Sequence, residues 1–196
     1  MSMMDKIKKL RFKTSAGMME CKSALKEADG DIEKAIDVLR KKGAAKAAKK
    51  ASRVAGQGMI ESYIHTGNRI GVMLELNCET DFVARNTEFK STARELAMQV
   101  AAASPAYVSR DEVPADIVEK EKDIYRSHTK GKPAEVTEKI VNGKLEKYFA
   151  ETCLLEQPFI KDPNVKVNEL ITQLVSKLGE NIMVKRFARF EVGEEF

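Results

Sequence analysis

The side chains able to do covalent or acid–base chemistry are scattered along this chain. Three cysteines, Cys21, Cys78 and Cys153, stand far apart and are odd in number. That fits reduced thiols better than a disulfide framework or a zinc site. Cys78 has no adjacent base, so it reads as a small core residue rather than a nucleophile. His65 falls at a strand end beside a turn, where an exposed structural role is expected. His128 falls on the apolar side of a helical pattern, which predicts a packed or partly buried ring. Glu119, Glu121 and Asp123 read as a solvated helix face. No Walker-type loop, GxGxxG, HExxH or GxSxG is present in the sequence. The pattern supports neither an enzyme nor a bound metal or cofactor.

Charge offers a second kind of chemistry. The net charge is +4, yet the segment 40–53 alone carries Arg40, Lys41, Lys42, Lys46, Lys49, Lys50 and Arg53 with no acid. Removing these seven cations from the net +4 leaves the rest of the chain at −3. Within this segment Gly43-Ala44-Ala45-Lys46-Ala47-Ala48-Lys49-Lys50 is alanine-rich and predicts helix. It reads either as a solvated connecting helix or as an electrostatic contact with nucleic acid or an acidic partner. A small RNA-binding protein using Lys46, Lys49 and Lys50 is therefore the competing functional class; a purely structural adaptor has no feature in its favour.

The stretch on which the chain turns is Glu75 to Arg85. Ile70, Val72, Leu74 and Leu76 alternate with Gly71, Met73, Glu75 and Asn77, which predicts a half-buried strand. Asn86 is a good N-cap, followed by Phe89, Ala93, Leu96 and Val100 at helical spacing. Thr80-Asp81-Phe82-Val83 thus lies at a strand-to-helix junction, where a scaffold can present side chains to a partner. Periodicity leaves Phe82 as either a plug for the local core or a probe aimed outward.

The elements around that stretch follow in order. Met3, Ile7 and Leu10 mark a first helix, Thr14-Ser15-Ala16-Gly17 breaks it, and Cys21, Ala24, Leu25 and Ala28 stripe a second. Met18 lies on that stripe and Met19 off it, as an exposed residue or as a soft contact point. Asp29-Gly30-Asp31 is a turn whose Asp31 caps a third helix carrying Ile32, Ala35, Ile36 and Leu39. Gly56 and Gly58 end the basic helix, and the run from Met59 to His65 pairs with the Ile70 strand across Thr66-Gly67-Asn68 as a hairpin. The Asn86 helix ends near Ser104-Pro105, and Pro114 opens another. Gly131-Lys132-Pro133 precedes a further helical run containing Val136, Ile140, Leu145, Tyr148 and Phe149. Leu154 to Ile160 reads as a short extended edge, Asp162-Pro163-Asn164 as a turn, and Val167 to Leu178 as a helix closed by Gly179. Asn181 to Val192 is a final strand whose apolar positions shift parity, which predicts a bulge or a two-sided strand.

With 43% apolar and 33% charged residues, the expectation is a globular α+β fold with a small antiparallel sheet packed by helices. The expected domains are a three-helix unit over 1–43, a basic Ala/Lys linker helix over 44–56 and an α+β core over 57–196. With no apolar run near the ~20 residues of a membrane span and no apolar leader at the N-terminus, the expected location is cytoplasmic, with no membrane partner.

Glu75 to Arg85 resembles a signature of the bacterial elongation factor Ts family. So does Leu10-Arg11-Phe12-Lys13-Thr14-Ser15-Ala16-Gly17-Met18-Met19-Glu20-Cys21-Lys22-Ser23-Ala24-Leu25, and the Ala/Lys segment between them matches the family's linker. Ser15 stands where the family usually has glycine, and Phe12 where it usually has a charged residue. The length matches the family's short form; the long form's duplicated core and coiled-coil arm have no counterpart in this sequence.

The resemblance implies an N-terminal domain like the ubiquitin-associated (UBA) fold, and a core that docks on the GTPase elongation factor Tu, in its GDP-bound and nucleotide-free states. Thr80, Asp81, Phe82 and Val83 would disturb the Mg²⁺ site of that GTPase. Phe82 would wedge between its helices and Asp81 would meet a helix end, so that GDP leaves and GTP can bind. Arg11, Met18 and Met19 would grip another helix of the same GTPase, and Lys50 carries over less directly. The resemblance also implies a homodimer in a two-plus-two complex, for which the final strand around Phe187 to Phe190 is the expected surface. Direct nucleotide binding and direct RNA binding are not expected.

Overall fold

Three helices open the chain: α1 (Met3–Thr14), α2 (Met18–Glu27) and α3 (Ile32–Lys50). They are described in a computed structural model covering residues 1–14, 16–129 and 133–194, so the expected breaks at Ser15 and at Gly131-Lys132 lie outside the described residues. Asp31 caps α3, its Oδ1 accepting the Lys34 N–H at 3.1 Å. Asp29 and Gly30 both have positive φ in the turn before it. The stripes read from the sequence converge: Ile7, Leu10, Cys21, Ala24, Leu25, Ala28 and Ala35 are buried together, with Ile32, Ile36 and Leu39 packed on them. Burying Leu10 and Leu25 stabilises this cluster by about 1.5–3 kcal/mol each. Helix α3 runs without interruption through Gly43 into the Ala/Lys segment. One helical glycine costs about 1 kcal/mol relative to alanine, and the surrounding Ala, Lys and Leu residues are strong helix formers.

The further elements are β1 (Gln57–Ile64), β2 (Ile70–Cys78), a one-turn helix α4 (Asp81–Ala84), α5 (Thr87–Ala103), α6 (Ala115–Ser127), α7 (Ala134–Thr152), β3 (Pro158–Phe159), β4 (Asp162–Lys166), α8 (Val167–Leu178) and β5 (Met183–Glu191). The fold is α+β, with a small antiparallel sheet ordered β1-β2-β5 and a separate β3-β4 ribbon. By contact density the chain divides into two compact units. One comprises Met1–Gly58, Asn77–Phe89 and Glu169–Met183; the other comprises Met59–Leu76, Lys90–Asn168 and the segment from Val184 onward.

In the second unit, Val72, Leu74 and Leu76 are buried on one face of β2. Arg94 of α5 pairs with Glu61 at 2.9 Å and lies over the Tyr63 ring, which places α5 along that side of β1. The opposite face leaves Ile60, Ile64, Met73 and Phe190 exposed. Arg110 pairs with Glu146 and Glu156 and stacks on Phe149, beside a buried cluster of Val113, Leu145, Phe149 and Cys153.

Several expectations change. Asp162-Pro163-Asn164 lies in strand β4, and the reversal occurs one step earlier at Ile160-Lys161. Pro163 is tolerated because a two-stranded ribbon is all edge. Leu154–Glu156 is a 3₁₀ turn rather than extended chain. His128 is exposed, because α6 ends at Ser127 and leaves His128 at its C-cap instead of on a packed face. In β5 the parity shift is real: Val184 is buried and Phe187 half-buried, while Arg186 reaches Glu75 at 2.7 Å.

Candidate functional site

The Thr80–Val83 segment is built as a capped turn. Strand β2 ends at Cys78, and Thr80 becomes the N-cap of α4, its Oγ1 accepting the Val83 N–H at 3.4 Å. The Cys78 thiol donates to the Thr80 carbonyl at 3.1 Å. Asn86 then caps α5, its Oδ1 accepting the Glu88 N–H at 2.8 Å. Two helix starts within seven residues fix the backbone on both sides of Asp81 and Phe82. Phe82 is 80% exposed, whereas Phe89 is fully buried. Of the two readings open for Phe82, the core plug is ruled out, because the ring lies in solvent.

A second segment of the same unit holds this turn in place. One carboxylate, that of Glu180, accepts three hydrogen bonds: from the Glu79 N–H at 3.1 Å, the Thr80 N–H at 3.0 Å and the Thr80 hydroxyl at 2.6 Å. Glu79 returns the contact, its carboxylate accepting the Asn181 N–H at 2.6 Å. The Asn181 amide in turn donates to the carbonyls of Arg53 at 2.8 Å and Ala51 at 3.4 Å. Asp81 pairs with Arg85 at 2.9 Å across one helical turn.

The N-terminal candidates lie in the same compact unit as this turn. Arg11 is exposed at the end of α1, with Phe12 exposed next to it. Met19 is 73% exposed, as its off-stripe position implies, but Met18 is 46% exposed and not packed on the stripe. The reason is its place at the first residue of α2, where no preceding turn covers it. Lys50 is half-buried, and its ammonium donates to the Gly179 carbonyl, capping the C-terminus of α8.

The basic helix is more neutral than its sequence suggests. Lys42 pairs with Glu27, Lys46 with Glu20, Arg40 with Glu169, and Arg53 with Glu79, while Lys50 holds Gly179. Five of the seven cations in 40–53 therefore serve the protein's own unit; Lys41 and Lys49 are exposed. The three thiols are buried, and burial pushes each above its ordinary pKa, which keeps it protonated and unreactive at neutral pH. No group of three or more His, Cys, Asp or Glu side chains among the described residues could hold a metal ion.

The sequence profile of the family described as "Elongation factor TS" matches residues 1–194. The chain is 62% identical over 189 residues to Elongation factor Ts of Thermodesulfovibrio yellowstonii, covering 96% of this chain and 94% of that one. It is 60% identical over 190 residues to the protein of the same name from Carboxydothermus hydrogenoformans, covering 96% and 88%. For the Thermotoga neapolitana protein the identity is 59% over 192 residues, covering 98% of each. The chain belongs to the elongation factor Ts family. In this member Thr80–Val83 is a capped turn with Phe82 exposed, and no helix of the described residues is long and apolar enough to cross a membrane.

Sequence reasoning did not find Glu180 and Asn181. Both follow the helix-closing Gly179, where Glu180 reads as loop and Asn181 as the start of the final strand, although β5 begins only at Met183. The only signal available was the pairing of a β2 end with a loop about a hundred positions away, and such pairings leave no local pattern.

Proposed function

We propose that this chain is a guanine-nucleotide exchange factor for elongation factor Tu. Family membership supplies the partner, and the observation that carries the reading is Phe82, a large apolar ring held out on a braced turn. An exposed aromatic on a rigid scaffold can insert between partner elements without an ordering cost. In this reading Phe82 wedges between helices of the GTPase and Asp81 meets a helix N-terminus, where a carboxylate is favoured. Thr80 and Val83 shape the turn that carries them. The displaced helices lose their hold on Mg²⁺, and GDP leaves so that GTP can bind. Exchange is then linkage: a factor that prefers the nucleotide-free GTPase must weaken nucleotide binding by the same factor. No covalent chemistry is required.

Arg11, Met18 and Met19 supply a second grip on the same GTPase, with Lys50 as a further contact. The division into a UBA-like unit (1–43), a basic Ala/Lys linker (44–56), helical only as far as Lys50 as the end of α3, and a docking core (57–196) belongs to the same reading, as does a cytoplasmic location. A homodimer binding two GTPase molecules is supported by the exposed apolar side chains Ile60, Ile64 and Met73 on one sheet face. The test for the dimer is the sedimentation mass of Phe187→Glu and Phe190→Glu; unchanged mass with intact folding would remove the β5 surface.

The exchange reading is tested by adding the chain to elongation factor Tu loaded with a fluorescent GDP analogue. Release must accelerate in proportion to the amount added until it saturates. Release at the intrinsic rate would contradict it.

A further inference from the structure

We propose that Glu180 is the positioning residue of the exchange turn, setting the direction in which Phe82 projects without touching the partner. The proposal rests on the exchange-factor reading and deepens it. The turn carrying Phe82 is a single helical turn of four residues, too short to hold itself in water. Something outside it must fix its orientation. One carboxylate does so, because its two oxygens together accept the Glu79 and Thr80 N–H groups and the Thr80 hydroxyl. These are charge-assisted bonds, stronger than neutral ones.

The arrangement also resists rotation. A single hydrogen bond leaves a hinge, but the Thr80 N–H on Oε2 and the Thr80 hydroxyl on Oε1 grip one residue at two points. The Glu79 carboxylate bonds back to the Asn181 N–H, so the two segments are joined in both directions. Asn181 extends the grip to the chain just beyond α3 through the Arg53 and Ala51 carbonyls. Thr80 hence does two tasks with one hydroxyl: it donates to Glu180 and accepts from Val83. Replacing the Glu180 carboxylate by an amide puts an NH₂ group opposite donors. At best the Thr80 hydroxyl reverses to accept from that NH₂ group, so all three charge-assisted bonds become weaker neutral ones, and the turn gains freedom while Phe82 itself is unchanged.

The test is a double-mutant cycle on GDP release from elongation factor Tu, using wild type, Glu180→Gln, Phe82→Ala and the pair. Glu180→Gln is expected to lower the maximal release rate about tenfold, in line with the loss from misplacing a group by a fraction of an ångström. The concentration at half-saturation should change less than the maximal rate, because the N-terminal contacts remain. In the Phe82→Ala background the same change should have almost no further effect, since there is no ring left to position. Amide hydrogen exchange gives a readout independent of activity: protection of the Glu79 and Thr80 N–H groups should fall in Glu180→Gln while that of α5 stays.

Equal losses from Glu180→Gln with and without Phe82 would overturn the proposal, since the residue would then act elsewhere. So would unchanged protection of the two amides. A wild-type chain that fails to accelerate release would sink the exchange reading together with this one. A wild type that is fast, a Phe82→Ala that is slow and a Glu180→Gln that is fast would overturn the positioning role alone.

Discussion

Asp81 and Arg85 face each other across one turn of α4, with Oδ2 and a guanidinium nitrogen 2.9 Å apart. The carboxylate beside Phe82 is therefore paired before any partner arrives. Arg85 is largely and Asp81 about half in solvent, so the pair contributes at most about 1 kcal/mol to stability and dissociates readily. Removing Arg85 should leave the melting temperature almost unchanged and should not slow GDP release, because it frees Asp81 for the partner. Asp81→Asn should slow release several-fold. Parallel losses in Arg85→Ala and Asp81→Asn, measured by release kinetics, would show instead that the pair itself is what the partner meets.

The internal pairing of the basic helix makes a prediction about RNA. With Arg40, Lys42, Lys46, Lys50 and Arg53 engaged within their own unit, the 40–53 segment keeps only Lys41 and Lys49 to displace counterions from a phosphate backbone. Fluorescence anisotropy with single-stranded RNA at physiological salt should give binding weaker than about 1 μM. Neutralising Lys46, Lys49 and Lys50 together should change it little. Tight binding with a steep salt slope, lost in that triple variant, would revive the RNA-binding class.

Acid should act on the N-terminal helices through Glu20. The Lys46 hydrogen bond, aided by the Gly17 N–H, holds the Glu20 carboxyl below the usual Glu range despite the opposing effect of burial. A carboxyl whose folded pKa is depressed adds stability above its unfolded pKa and loses it as pH falls through the folded value. The Glu20 contribution should accordingly be complete at pH 7 and fade below about pH 4.3. Melting curves of wild type and Glu20→Gln should differ modestly at pH 7 and converge as the Glu20 carboxyl protonates in acid. A gap that widens in acid would contradict the assignment.

Helix α7 carries an avoidable weakness at Gly143, which is exposed and has open space where a side chain would project. Gly143→Ala should stabilise the protein by about 0.5–1 kcal/mol, through helix propensity and a less mobile unfolded chain. Urea unfolding is the check. A destabilised variant would mean that Gly143 serves a partner or a second copy of the chain.

How much of this was legible depends on where the information lies. The period-two pattern of β2, the Asn86 cap and the stripe from Phe89 to Val100 are local, and each stands where the sequence placed it. Side chains near element ends were read less well. Met18 and His128 sit at a helix start and a helix end, where a stripe extrapolated by one position loses its covering neighbour. Pro163 was read as a turn because proline usually punctuates, yet an edge ribbon accommodates it. The outward direction of Phe82 could not come from periodicity, since a junction has none. The Glu180 bonds are long-range, joining positions about a hundred apart, and became visible only in three dimensions.

The central claim is that the exposed ring of Phe82 drives nucleotide release, and stopped-flow release of a fluorescent GDP analogue from elongation factor Tu tests it most directly. Phe82→Ala should melt like wild type, within about 0.5 kcal/mol, because an exposed ring contributes little to folding. Its maximal release rate should nevertheless fall at least tenfold, on the order of 1.4 kcal/mol of lost barrier reduction. A stable Phe82→Ala protein that releases GDP as fast as wild type would contradict the account.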